Sequence, residues 1–313
     1  MKVLVLGATG QIGWNITRTL IDQHHETTLL CRAKNQSRVS ALPAKLVIKD
    51  EPTKELTELA QTVDWVIDAA APYPLDLFVN PSVFSQAEER TREIIKACRK
   101  GKTGLAYISS FVTLAHSKSN VFARLKRRTS PYFVLKARLE NLILSATDLK
   151  QIIVNPSTVL GPGDFKSSDE SLIGALMQQK IPFSYDTKIN VIDARDLAEA
   201  LITMMKRNTS QRPTAMFGHD VTVSKLIEMI AKAAGVDAPS SIKMSEPLAT
   251  IGGGIMESIA SAAAVPSPAP ALLPWLMAED FDIPHEQIDG LHLVEETIEA
   301  SVAWRRSLTN VTA

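Results

Sequence analysis

The first thirteen residues, MKVLVLGATGQIG, constrain the fold more tightly than any later stretch. Val3-Leu4-Val5-Leu6 is an unbroken apolar run, which suits a strand buried on both faces of a parallel sheet. Gly7, Gly10 and Gly13 follow at intervals of three, and a helix-like stretch, Trp14–Gln23, comes next. Glycines just after such a strand let the chain turn sharply and bring a helix N-terminus close to a ligand. The free N–H groups and partial positive charge of that terminus suit a pyrophosphate. A plain tight turn would use glycines too, but the strand before and the helix after point to a dinucleotide site.

A chain of 313 residues accommodates one large or two closely joined domains with an ample core. The formal net charge of zero argues against a general nucleic-acid binder. Cys31 and Cys98 have no metal-ligand spacing and the histidines form no H-x-x-x-H pattern, so no metal is expected and the thiols read as a reduced intracellular pair. Lys2 leads into four apolar residues, too few for a signal-peptide core. The weakly polar stretch Pro247–Val265 is interrupted by Glu257 and preceded by Glu246, which disfavours a membrane span. These features predict a cytoplasmic, soluble monomer or homodimer acting on a small molecule, without nucleic-acid or membrane partners.

Strand-like and helix-like segments alternate through the first half, the pattern of a doubly wound parallel α/β sheet. Strands are expected at Glu26–Cys31, Lys45–Ile48, Asp64–Ala69, Thr103–Ile108 and Gln151–Val154, with helices at Thr53–Gln61 and Ser85–Lys100. The second half loses that rhythm. A strand at Asn190–Ala194 and helices at Arg195–Arg207, Val223–Ala234 and Val294–Ser307 are expected. Four prolines between Val265 and Pro274 predict a surface connection.

Ser130-Pro131 begins a further helix, since Ser is a good N-cap and Pro suits the first helical position. Tyr132 and Lys136 then lie on one face, a turn apart. A nearby ammonium favours the phenolate, and a tyrosine so tuned can exchange a proton with a carbonyl oxygen while hydride moves at the carbon. An ordinary amphipathic helix also produces Y-x-x-x-K. Tyr132 is nevertheless the one tyrosine with a lysine four residues on, and its helix starts at the sheet edge where ligands bind. Ser109 and Ser110 end strand five at that edge. Ser110 is the favoured hydroxyl for holding a carbonyl oxygen, with Ser109 and Thr113 as alternatives.

GATGQIG, VIDAAAP, ISSFVT, YFVLK, NPSTVLGPG and NVIDARDLAEA, in this order, resemble the landmarks of the extended short-chain dehydrogenase/reductase (NAD-dependent epimerase/dehydratase) family. AAPYP and NPSTVLGP bring the chain nearest to dihydroflavonol-reductase-like enzymes. The resemblance implies a Rossmann domain over 1–160 and 186–220 and a smaller substrate domain over 161–185 and 221–313. It implies that Thr9, Gly10, Gln11 and Ile12 hold the pyrophosphate, beside Gly7 and Gly13. Asp50 would sit by the adenine and Ala69, Ala70 and Ala71 would line the adenosine side. Pro156 and Val159 would flank the nicotinamide, Tyr132 would exchange the proton, and Lys136 would hold the ribose and lower the tyrosine pKa. Ala87 stands where many relatives carry Asn.

The residue after strand two distinguishes the cofactors. NAD sites place a carboxylate there for the ribose 2′-OH, whereas arginine accommodates a 2′-phosphate. This chain has Cys31-Arg32, then Lys34 and Arg38, and no carboxylate before Asp50, which predicts NADP over NAD. The expected activity is hydride transfer between NADP and a carbonyl or alcohol through Ser110, Tyr132 and Lys136. A nucleotide-sugar epimerase or dehydratase with tightly held NAD, and a non-catalytic NADP-sensing regulator, fit the same residues less well. The basic run Arg124–Arg128 and the acidic pairs Glu88-Glu89 and Glu295-Glu296 read as solvated faces. Asp193 and Asp196 are expected at a strand end and a helix N-cap, and Trp275 and Phe281 in the small domain's core or over the substrate.

Overall fold

The computed structural model describes residues 1–50, 53–74, 79–114, 130–167, 170–181, 183–185, 188–208, 212–242, 255, 258, 283 and 285–310. The run Arg124–Arg128, the proline-rich stretch 265–274, Trp275 and Phe281 lie outside the described residues.

Among the described residues the main sheet has eight parallel strands. Their spatial order is β13 (His285–Glu286), β10 (Thr214–Met216), β6 (Gln151–Pro156), β5 (Gly104–Ile108), β4 (Trp65–Asp68), β1 (Lys2–Leu6), β2 (Glu26–Cys31) and β3 (Lys45–Ile48). The order reverses direction between β1 and β4, the place where doubly wound sheets open a crevice at their carboxyl ends. Period-two alternation explains the unbroken apolar run of β1. Val3 and Val5 face a cluster with Ile16 and Leu20 of α1 (Gln11–Asp22) and Leu197, Leu201 and Met205 of α6 (Ala194–Arg207). Leu4 and Leu6 face the opposite cluster, with Ile94 and Cys98 of α3 (Ser82–Gly101) and Leu135, Leu139 and Ile143 of α4 (Pro131–Leu144). Helix α2 (Thr53–Ala60) packs beside α3.

The second half contributes a three-stranded sheet, β11 (His219–Thr222), β9 (Lys188–Asp193) and β7 (Thr158–Leu160), and a two-stranded one, β8 (Phe183–Tyr185) with β12 (Ser240–Ile242). Helices α5 (Leu172–Met177), α7 (Val223–Ala234) and α8 (Val294–Asn310) surround a third cluster with Leu160, Ile189, Val191, Leu226, Ile230 and Ile298. Strands β7 and β9 therefore send side chains into this cluster, although the expected boundaries group them with the sheet domain. Conversely, His285–Glu286 completes the edge of the main sheet. Asp193 is the N-cap of α6, accepting from Arg195 N, while Asp196 holds His292, accepting from both its backbone N and its Nδ1 side. That differs from the expected division of labour, because Asp196 is drawn to the loop before α8. Cys31 and Cys98 are both buried and unbonded to each other.

Candidate active site

The glycine turn is built as close backbone contact. Gly7 has φ +88°, and a Cβ there would lie 2.7 Å from Ala69 C, so the ends of β1 and β4 meet backbone to backbone. A Cβ on Gly13 would press on Gly7 O, with Gly7 C at 2.6 Å and Ala8 N at 3.0 Å, so α1 approaches the strand more closely than a side chain permits. Gly10 is the N-cap of α1 and supplies no side-chain cap, which leaves first-turn N–H groups free of a side-chain acceptor. An anion-binding helix start requires that freedom. The helix begins at Gln11, three residues before the expected Trp14, because Trp14 N already donates to Gly10 O at 2.8 Å; the Gln11 side chain donates to Gly161 O at 2.8 Å.

Arg32, Lys34 and Arg38 are exposed around a 3-10 turn, 33–38, directly after β2. Arg38 reaches back over the glycine loop: its Nη1 donates to Thr9 O at 3.4 Å and its guanidinium lies 5.4 Å from the Phe165 ring centre. Asp50 turns its carboxylate to Ala33 N at 3.2 Å, fastening the two loops together. Ala69, Ala70 and Ala71 continue from β4 past the glycine turn. Pro156 is buried at the end of β6 and Val159 half-buried in β7. The uncapped helix start, the glycine cradle and the guanidinium above it fit a dinucleotide.

One strand further along the carboxyl edge, Ser130 caps α4 by accepting from Phe133 N at 3.5 Å, and Pro131 occupies the first helical position. The helix presents Tyr132 and Lys136, exposed by 4% and 5%. Tyr132 neighbours the Ser110 side chain and meets Tyr73 edge-on at 4.6 Å between ring centres. Burial raises the Tyr132 phenol well above its ordinary range, and Tyr73 adds to this, while the Ser110 hydroxyl pulls the other way. Lys136 does not lower it in this arrangement. Its Nζ donates to Ile108 O at 3.3 Å and lies 5.6 Å from the Tyr107 ring centre. Burial brings Lys136 down to about 8, opposed by Asp68 and Glu140.

The adjacent serines face different surroundings, as neighbours along an extended chain do. Ser109 donates to Glu140 Oε2 at 2.5 Å, so its hydroxyl is committed to the protein interior. Thr113 Oγ1 and Asn155 Nδ2 each lie 2.8 Å from the same oxygen. Asn155 Nδ2 also donates to Ser110 O at 3.1 Å, fixing the backbone from which the Ser110 hydroxyl projects. Asp68, at the end of β4, is 1% exposed and takes a bidentate bond from Arg90 at 2.8 and 2.9 Å. Burial alone would raise its pKa, but Arg90 reverses the sign and holds it low. Glu140, Asn155 and the Asp68–Arg90 pair were missed by the sequence reading. The signal for Glu140 was its spacing, four residues after Lys136 and eight after Tyr132. Ala87 is buried in the sheet-facing core, and Arg90, one turn later, is the α3 side chain that reaches Asp68.

Fold and glycine cradle together define a Rossmann-type, NAD(P)-dependent enzyme. More narrowly, the chain belongs to the NAD dependent epimerase/dehydratase family, whose model matches residues 3–217. A putative dihydroflavonol 4-reductase from Synechocystis is 24% identical over 252 residues, covering 76% of this chain and 74% of the relative. Among solved structures, a nucleoside-diphosphate-sugar epimerase from Pseudomonas aeruginosa is 19% identical with a TM-score of 0.73, covering 98% of each chain. A UDP-glucuronic acid 4-epimerase from Bacillus cereus, solved with UDP-glucuronic acid and NAD, is 17% identical with a TM-score of 0.68 over 98% of this chain and 100% of that one. These likenesses establish the extended short-chain fold. Among the described residues no cluster of metal ligands is found, and no helix is long and apolar enough to cross a membrane.

Proposed function

We propose that this chain is an NADP-dependent oxidoreductase that transfers hydride between the nicotinamide and a carbonyl or alcohol substrate through Ser110, Tyr132 and Lys136. The observation that carries this reading is the pairing of the buried Tyr132 and Ser110 side chains, with buried Lys136 one turn on, at the sheet edge that also holds the glycine cradle. Backbone N–H groups from Thr9 to Ile12 would hold the pyrophosphate, with Gly7 and Gly13 permitting the approach. Ala69–Ala71 and Asp50 would border the adenosine, Pro156 and Val159 the nicotinamide. Arg32 and Arg38 suit the 2′-phosphate, because a guanidinium matches phosphate geometry and no carboxylate follows β2 to take a 2′-OH. Lys136 would hold the nicotinamide ribose.

Bound NADPH would supply a hydride, that is, one proton carrying two electrons. In the reducing direction Ser110 orients the substrate carbonyl by donating to its oxygen. Tyr132 gives its phenolic proton to that oxygen as the carbon accepts the hydride. The new C–H and O–H bonds replace the carbonyl π bond, and the phenolate left behind regains its proton from solvent. A phenol held protonated by burial is in the right state to donate.

The test is Tyr132→Phe, assayed on a panel of ketones and aldehydes by NADPH absorbance. Positioned general acids contribute about 100- to 10,000-fold, so kcat should fall at least about 100-fold with cofactor binding retained. Activity within about tenfold of the parent would remove Tyr132 from the mechanism. Tightly bound NAD co-purifying with the protein, together with epimerisation of a nucleotide sugar, would favour the epimerase reading instead.

A further inference from the structure

We propose that Glu140 is a positioning residue of this site: it anchors the Ser109–Thr113 turn and supplies the counter-charge for the Lys136 ammonium. The proposal rests on the reading that Lys136 holds the cofactor ribose.

Tyr132, Lys136 and Glu140 are spaced four residues apart along α4, so all three stand on one face of the helix. Glu140 is 6% exposed. One of its oxygens, Oε2, is approached by Ser109 Oγ, Thr113 Oγ1 and Asn155 Nδ2, which come from the end of β5, the turn after it and β6. All three are neutral groups. They orient the carboxylate without cancelling its charge. Ser110 lies inside this net, its carbonyl accepting from Thr113 Oγ1 at 3.0 Å and from Asn155 Nδ2 at 3.1 Å. The hydroxyl that meets Tyr132 is therefore positioned through Glu140.

Glu140 also carries charge, apart from those bonds. Lys136 is faced by Tyr132 and Glu140 from its own helix, by Tyr107 from β5, and by Asp68 from β4. Asp68 is already engaged bidentately by Arg90 of α3, so that acid and that base answer each other. Asp68 and Glu140 both favour the Lys136 ammonium, but Asp68 shares its charge with Arg90, whereas Ser109, Thr113 and Asn155 around Glu140 are all neutral. An ammonium buried without an answering charge gives up its proton more readily, because a low-dielectric interior disfavours the charged form.

Glu140→Gln separates the two roles, since an amide oxygen can still accept from Ser109, Thr113 and Asn155 while the charge is gone. The readout is the dissociation constant of NADPH, followed by nucleotide fluorescence between about pH 6 and pH 10. The parent should lose affinity as pH rises through the Lys136 titration. Glu140→Gln should lose it at least about one pH unit lower, the size expected for removing a neighbouring opposite charge. Ser109→Ala, which removes a donor and leaves the charge, should follow the parent curve. Superimposable curves for the parent and a folded Glu140→Gln protein would overturn the proposal, as would a Ser109→Ala curve displaced equally far. If Glu140→Gln does not fold, Glu140→Asp decides: with the charge kept, its curve should track the parent, and a displaced curve counts against the proposal. A flat parent curve would overturn this inference together with Lys136 as the ribose contact. Failure of the parent to reduce any carbonyl would sink hydride transfer alone, because the binding curves need no turnover.

Discussion

Replacing Gly13 by alanine tests whether close contact between α1 and the end of β1 makes the cofactor site. The added Cβ would press on Gly7 O and sit 2.6 Å from Gly7 C, where ordinary contact begins near 3.4 Å. Both neighbours are backbone, so neither can swing aside. The helix must retreat by about an ångström. Overpacking of this kind costs about 2 kcal/mol, which for a chain of this size lowers Tm by roughly 3 °C. The N–H groups of the first turn retreat with the helix, and hydrogen bonds at about 2.9 Å stretched by that distance are lost. NADPH affinity should fall about tenfold or more. Gly10→Ala is the control, because its Cβ would find only Gly7 O, at 3.6 Å, and its φ of −101° suits any residue. Its effect on stability should stay within about 1 kcal/mol. The measurements are thermal unfolding without cofactor and a fluorescence titration with NADPH. Equal losses of stability in the two variants, or an unaffected Gly13→Ala protein, would refute the argument from close contact.

Arg38→Ala should weaken NADPH about tenfold while changing NADH by less than threefold, as read from the two Michaelis constants; parallel losses would dissociate Arg38 from the 2′-phosphate. Arg90→Leu strands the Asp68 carboxylate in the interior, and breaking a buried pair from one side should cost about 3–5 kcal/mol in chemical denaturation. The double change with Asp68→Asn should recover much of that loss. Lys136 has its pKa lowered by burial to about 8 from an ordinary value of 10.5. Between those values the unfolded chain binds more protons than the folded one, so this group makes stability rise with pH there. Carbonyl reduction should decline over the same range as the ammonium is lost, giving opposite trends in pH-dependent unfolding and in kcat.

Features set by local chemistry were legible in the sequence. The strand before Gly7, the Ser130-Pro131 helix start and the Val223–Ala234 helix ended by Gly235 each depend on residues within a turn of one another. The family resemblance rested on such segments, and the family model covers them. The small domain was less legible because it is assembled from distant pieces: Leu160, Ile189, Leu226 and Ile298 share a cluster without sharing a local pattern. At the site, Tyr132 and Lys136 were readable from their four-residue spacing. Ser109 and Ser110 were not separable by sequence, because only the fold shows that Glu140 engages one of them. Asp68 finds Arg90 twenty-two residues away, and Asn155 finds Glu140 across two elements, so no periodicity announced either contact.

The loop Gly161–Lys166 is held between helices α1 and α8. Gln11 and Asn15 of α1 donate to Gly161 O and Pro162 O, while Ser301, Trp304 and Arg305 of α8 bond the same loop from the other side. Trp304 also packs against Trp14, ring centres 4.8 Å apart. Helix α8 is synthesised long after α1, so the outer face of α1 stays uncovered until α8 has been made. A chain that already carries every residue of the glycine turn still lacks the brace on the helix that follows it.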